Sequence, residues 1–364
     1  MGDRVHTYES YRHRRYFSEL DGLRAVSVLL VFTTHIDVLF WDRLHGNTGV
    51  TFFFVLSGFL ITTLCLREES ADGRLDLGSF YLRRVFRIYP LYVAVLGLYC
   101  VLILVLGMAS ERRAAFVDSL PYYLGFLPEQ ALLASTGVEP PFSGAWSLGI
   151  EEKFYFVWPL LGFVLLAARF RPRVVTLLVL VVAFACAPVL GTLGHLLTPY
   201  ALIAMGCVAG VLLHDKRWYA RLSVLGEPRV FGALLAFVVV VQVTVPWIQL
   251  GRPLYVAYGV PVTALLVGLV VTTTSVPARL SSRPLVFLGR ISYAFYLTHN
   301  FAINGAQAAL PDTDLAQGVV APAVALALAI AFAWVLHVTI EKPLIKLGHR
   351  LAHRRKELRG VPAV

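Results

Sequence analysis

Long apolar stretches separated by short polar links dominate the chain, at residues 23–40, 49–66, 88–108, 146–168, 174–190, 199–213, 230–248, 253–274, 291–310 and 318–340. Most are long enough to cross a hydrocarbon core of about 30 Å as helices, which takes roughly 17 to 25 residues each. The alternating segments of about ten residues that mark membrane barrel strands are absent. The pattern predicts an all-α fold: a polytopic transmembrane helix bundle of about ten spans. The longest internal links are 67–87, which is basic, and 109–145, which holds Pro121, Pro128, Pro140 and Pro141. Within the second link, 122–133 is apolar but broken by Pro128 and too short to span. It is expected to lie against the membrane or to re-enter it.

Composition agrees, since a chain of 364 residues that is 58% hydrophobic and 15% charged is too apolar for an ordinary soluble protein. A net charge of +10 raises nucleic acid as a partner. The placement of the charge argues otherwise. With the N-terminus inside, of 32 Lys and Arg only Arg43, Arg112, Arg113, Lys153 and Arg252 fall away from cytoplasmic segments. This asymmetry follows the positive-inside rule and predicts a multi-pass protein of the cell membrane with both termini cytoplasmic and no nucleic-acid partner. Cys65, Cys100, Cys186 and Cys207 are scattered through apolar spans without metal-ligand spacing, which predicts buried small hydrophobes. No small-residue cleavage site follows the first apolar run, so that span is expected to persist. Residues 1–18 and 347–364 are expected to be basic cytoplasmic tails around one membrane domain, 19–346.

Ionisable side chains within a span cost a few kcal/mol at mid-bilayer, which makes each a candidate for function. His35 is expected about 18 Å into the first span, at 1.5 Å per residue. Arg24, at the cytoplasmic edge, returns to nearly the same helix face after eleven steps of about 100°. The alternative is a membrane anchor plus a histidine bonded to a neighbouring helix. Arg83, Arg84 and Arg87 are expected at the inner end of the third span. Arg84 and Arg87 can share a face and fork onto phosphate, or can anchor lipid headgroups. In WSLGIEEKFYFVWP, Ser147, Glu151, Tyr155 and Trp158 recur at helical spacing, with Glu151 entering from outside. Glu151 and Glu152 are either one functional acid with a solvated neighbour or an acidic helix start. Tyr296 and His299, at i and i+3, read as a structural hydrogen-bonded pair. Ser57, in LSGFL, is a conceivable nucleophile, although small-residue packing together with Gly58 is the favoured role.

Taken together, GLRAVSVLLVFTTH, GVTFFFVLSGFLI, FYLRRVFRIYP, WSLGIEEKFY, ISYAFYLTH and IEKP resemble, in order, the membrane O-acyltransferases of the acyltransferase-3 family. The resemblance runs from about residue 19 to 343. It implies transfer of an acyl group, often acetyl from acetyl-CoA, to a sugar hydroxyl on an envelope glycan or on a glycosylated natural product such as a macrolide. By position, Arg24 and His35 match the family's arginine and histidine separated by ten residues, Arg84 and Arg87 its paired arginines, and Glu151 the glutamate after Trp146 and Ser147. The resemblance implies acyl-CoA as co-substrate, a sugar-containing acceptor, and neither a permanently bound cofactor nor a metal. The hydrolase-like domain fused to some members is not found in this sequence, so a second transfer step outside would fall to a partner.

For the chemistry, His35 can act as base towards the acceptor hydroxyl, while Arg84, Arg87 and Arg24 hold the donor phosphates. Direct transfer and a covalent acyl-histidine both fit. The histidine–aspartate spacing of common soluble acyltransferases is absent, position 40 being Phe40. A transporter or flippase is the rival class, because polar residues at mid-membrane also mark transport paths.

Overall fold

A computed structural model of the chain describes residues 5–14, 16–36, 41, 43–134, 137–244 and 252–358. A short α1 (Tyr8–His13) precedes α2 (Ser18–Thr33), α3 (Gly49–Asp72) and α4 (Leu77–Cys100), the last prolonged by a π-helical turn at Val101–Val105. Next come α5 (Arg113–Leu124), α6 (Pro128–Ala134) and α7 (Trp146–Leu160), then α8 (Phe170–Cys186), α9 (Thr192–His214) and α10 (Lys216–Leu222). The chain continues through α11 (Pro228–Thr244), α12 (Arg252–Val271), α13 (Ser275–Leu280), α14 (Arg283–Arg290), α15 (Ser292–Ala309), α16 (Ala321–Leu336) and α17 (Lys342–Leu358). Apart from an isolated bridge between Val5 and Thr272, the described residues form no β-structure.

Among the described residues, six helical segments are long and apolar enough to cross a membrane: Gly46–Asp72, Leu77–Val105, Phe170–Val189, Leu196–His214, Leu254–Val271 and Ala316–Leu358. A seventh, Lys216–Gly226 with Pro228–Thr244, is bent by 70°. The three remaining expected spans correspond to α2, α7 and α15, with 16, 15 and 18 residues. These same helices carry or lead into Arg24, His35, Glu151, Tyr296 and His299. At 16 and 15 residues, α2 and α7 are shorter than the roughly 17 to 25 residues of a full crossing.

The outward faces explain where a bilayer would fit. On α8, Val175, Leu178, Val179 and Val182 are exposed at helical spacing. On α11, Phe237, Val239, Val240 and Val243 do the same. Contiguous apolar faces of this kind are unfavourable in water and are solvated by lipid tails.

Several boundaries differ from the sequence expectation. The first span was expected to run to residue 40, but α2 stops at Thr33, whose hydroxyl turns back onto the Leu30 carbonyl at 2.7 Å. Such back-bonding competes with the helical ladder. Residues 37–40, with Phe40, lie outside the described residues, as do 245–248 of the seventh expected span and the tail ends 1–4 and 359–364. At the third span, α4 starts at Leu77, because the Asp76 carboxylate accepts from the Gly78 N–H at 3.1 Å and caps it. Arg83, Arg84 and Arg87 therefore lie within the helix itself, two to three turns from its start, in a segment that precedes the expected span.

The link 109–145 folds back against the bundle. Phe116 and Tyr123 are wholly buried, and the Tyr92 hydroxyl on α4 donates to the Tyr123 carbonyl at 3.0 Å. Pro128 opens α6, a position where its missing N–H costs nothing. Gly149 on α7 allows α6 to approach, since a β-carbon there would collide with Pro128 and the Glu129 carboxylate.

Buried hydrophobic residues form two cores, one centred on α3, α9 and α12 and the other on α2, α4, α15 and α16. A close crossing joins α3 to α9, where β-carbons on Gly58 and Gly206 would run into the carbonyls of Ile203 and Val55. Small residues let helix backbones meet in this way. Cys65 and Cys207 are buried as expected. Cys100 is only half-buried and Cys186 is exposed, because its position on α8 faces outward with the valine stripe.

Candidate active site

Where the two cores meet, α2, α3, α4, α7 and α15 enclose a cleft. Arg24 enters it from α2, Ser57 from α3, Arg84 and Arg87 from α4, Ser147, Glu151 and Tyr155 from α7, and Tyr296 from α15. Eight of the residues singled out in the sequence thus share one space, although Arg24 and Glu151 were expected at opposite membrane edges. The folded-back link 109–145 and the short α7 bring them together.

The carboxylate is held firmly. Ser57 Oγ and the Tyr155 hydroxyl each donate to Glu151 Oε2 at 2.9 Å. Ser57 therefore orients the acid, while the packing role expected of the Ser57–Gly58 pair falls to Gly58. The Arg84 guanidinium lies over the Tyr155 ring at 4.7 Å and over Phe80 at 5.8 Å. Arg24 Nη1 reaches Asp21 at 3.4 Å. Among the described residues, no ion pair neutralises Arg84 or Arg87, so the cleft has an excess of cationic donors suited to a phosphate-bearing ligand.

Tyr296 links the cleft to a second group. Its hydroxyl pairs with Ser147 Oγ at 2.7 Å, and its carbonyl lies 2.8 Å from His299 Nδ1. His299 is buried, stacked parallel to Phe295 at 6.1 Å, and its Nε2 lies 3.3 Å from His35 Nδ1. His35 Nδ1 also meets the Val31 carbonyl at 3.1 Å. Carbonyls only accept, so both Nδ1 atoms carry hydrogen, and the single Nδ1 hydrogen of His35 is shared between the Val31 carbonyl and His299 Nε2. The consistent neutral tautomer leaves His35 Nε2 with a free lone pair.

His35 and His299 do not line the cleft. His35 sits in the turn after α2, exposed, and no single helical stripe runs from Arg24 to a mid-helix imidazole. Trp146 begins α7 with its ring against Phe54 at 6.1 Å, outside the cleft lining. Trp158, expected on the polar stripe, is buried and donates to Thr62 Oγ1 at 2.9 Å.

Glu152 and Tyr293 are among the cleft residues not anticipated as lining. Glu152, one of the expected alternatives being a solvated neighbour, faces the cleft beside Glu151. Tyr293 also lines it and donates to the Ile88 carbonyl at 2.8 Å. Its position three residues before Tyr296 was a signal, since i and i+3 share a helix face.

A family model described as an acyltransferase domain matches residues 17–338, and the chain belongs to this acyltransferase-3 family. It is similar to YrhL of Bacillus subtilis, provisionally named a peptidoglycan O-acetyltransferase, at 31% identity over 80% of this chain and 49% of that protein. It is also similar to the O-acetyltransferase OatA of Staphylococcus aureus, at 27% identity over 78% of this chain and 50% of that one. The chain thus spans about half the length of these curated relatives. A shorter match, 33% identical over 40% of this chain and 24% of the relative, is to the peptidoglycan O-acetyltransferase OatA of Listeria monocytogenes. No solved structure matches the chain.

Proposed function

We propose that the chain is a multi-pass O-acyltransferase of the cell membrane that moves an acetyl group from acetyl-CoA to a hydroxyl of an envelope carbohydrate. In this topology it crosses the bilayer about ten times with both termini cytoplasmic. One observation carries the proposal: a cleft with three guanidinium groups adjoins a carboxylate held by two hydroxyls and continues, through Tyr296, to two imidazoles. The relatives' names favour a glycan acceptor over a glycosylated natural product.

Arg84, Arg87 and Arg24 bind the donor phosphates, and Glu151 Oε1, left open by the donors on Oε2, orients the reacting hydroxyl. In direct transfer, His35 Nε2 removes the hydroxyl proton as its oxygen attacks the thioester carbonyl. The C–S bond breaks, and the imidazolium returns the proton to the departing thiolate.

A second route draws on the exposed His35 ring, whose Nδ1 alone is engaged and whose Nε2 can act as nucleophile. His35 Nε2 attacks the thioester and carries the acyl group as an acyl-imidazole, and the acceptor oxygen then takes it. The thiolate receives the proton that the acceptor gives up. Both routes require His35 and differ in whether a labelled acyl-enzyme accumulates when acceptor is withheld.

Comparison by mass of envelope glycans and secreted metabolites from cells with and without the chain tests the proposal. An acetyl increment on a glycan is the expected result. Movement of a solute across the bilayer without any acyl transfer would overturn it.

A further inference from the structure

A second basin adjoins the cleft and shares Arg84 and Arg87 with it. Its walls come from the end of α3 with Arg67, the first turns of α4 with Arg83, and α17 with His349 and Lys356. The α17 wall follows residue 338, where the family match ends. Of these additional residues only Arg83 falls in a sequence motif, FYLRRVFRIYP.

The charges here are unevenly paired. Glu68 and Asp72 occupy two of the cations: Arg83 meets Glu68 at 2.7 Å, and Lys356 meets Glu68 at 2.8 Å and Asp72 at 2.7 Å. Arg67 has no ion pair among the described residues. Its guanidinium lies over the Phe17 ring at 4.9 Å, and its Nη2 is buried without a hydrogen-bond partner. Arg84 and Arg87, likewise without an ion pair among the described residues, stand where the basin joins the cleft. Unspent guanidinium groups are therefore found in two places, one inside the basin and a pair at its neck. A buried donor without an acceptor is unfavourable, and a bound oxyanion would satisfy it.

We infer that the basin seats the nucleotide end of the acyl-CoA donor, with Arg67 serving the 3′-phosphate and Arg84 and Arg87 the diphosphate at the neck. The uncharged pantetheine arm then runs through the cleft past Glu151 and Tyr155 and carries the thioester towards His35. A ligand with phosphates at two separated points and an uncharged arm fits this distribution, whereas one isolated phosphate would use only one of the two cationic places. This assignment rests on the proposal that the donor is acyl-CoA.

The full chain in phosphatidylcholine nanodiscs, titrated calorimetrically with CoA, 3′-dephospho-CoA and pantetheine, provides the test. Wild type should bind CoA about tenfold or more tighter than 3′-dephospho-CoA, the size expected for one charge-assisted contact. Arg67→Ala and the polar variant Arg67→Gln should both remove that preference while binding 3′-dephospho-CoA as wild type does, with unchanged melting temperatures. If both folded variants keep the wild-type ratio, the inference is overturned while the acyl-CoA proposal stands. If wild type binds none of the three, the donor proposal itself fails and takes the inference with it. A preference for CoA that disappears when phosphatidylglycerol is added identifies the Arg67 site as a lipid-headgroup site and also overturns it.

Discussion

His299 Nε2 lies 3.3 Å from His35 Nδ1, and the Tyr296 carbonyl on the far side of the buried His299 ring fixes which of its nitrogens bears the hydrogen. The outer imidazole therefore receives its orientation from an inner one. The inner one is in turn tied to Tyr296, whose hydroxyl faces the cleft.

In the proposed mechanism that relay gives His299 the part of a positioning residue. His299→Ala should lower kcat for acyl transfer by about tenfold or more, a fraction of the roughly 10²- to 10⁴-fold that a placed base supplies. The KM for the donor should stay near wild type. His299→Gln, whose carbonyl can still accept from His35, should recover part of the loss. Steady-state transfer rates measure both variants, and an unchanged kcat in His299→Ala would show that the contact plays no part in turnover.

The two hydroxyls on Glu151 act on the same oxygen, so their removal should not be additive. Ser57→Ala and Tyr155→Phe each withdraw one donor, in a range of about 1.5 to 3 kcal/mol for hydrogen bonds to a charged group. The double variant should lose less kcat/KM, on a logarithmic scale, than the sum of the two single losses. Strict additivity in the double-mutant cycle would contradict a shared role in holding the acid.

Stability should depend on the close α3–α9 crossing. Gly58→Leu places a side chain against the Ile203 carbonyl, an overpacking expected to cost about 1 to 3 kcal/mol. Gly232→Leu on α11, where a β-carbon meets nothing within 4 Å, is the control. Thermal unfolding in detergent should show a drop for the first and little change for the second.

The sequence displayed the helical class and the polar residues that converge on the cleft, because a charge in an apolar run is visible without any structure. Ser57 was visible as part of a small-residue pair, but its bond to Glu151 joins α3 to α7 across a distance in sequence that periodicity does not reach. The end of α2 at Thr33 was hidden for a different reason. Thr33 and Thr34 are compatible with an apolar span, yet at Thr34, His35 and Ile36 the backbone passes into i→i−3 turns, where the Thr33 hydroxyl bonds the Leu30 carbonyl. The convergence of Arg24 and Glu151 was hidden as well, since span positions assign depth by counting residues and cannot register a link that folds back between helices.

The most direct measurement is transfer of label from radiolabelled acetyl-CoA to envelope glycan by the purified chain in nanodiscs, with wild type compared to His35→Ala whose insertion and melting temperature are confirmed as normal. Wild type should transfer label, and His35→Ala should fall by at least about 10²-fold. Transfer by His35→Ala at the wild-type rate would contradict the assignment of His35 as the residue on which acyl transfer depends.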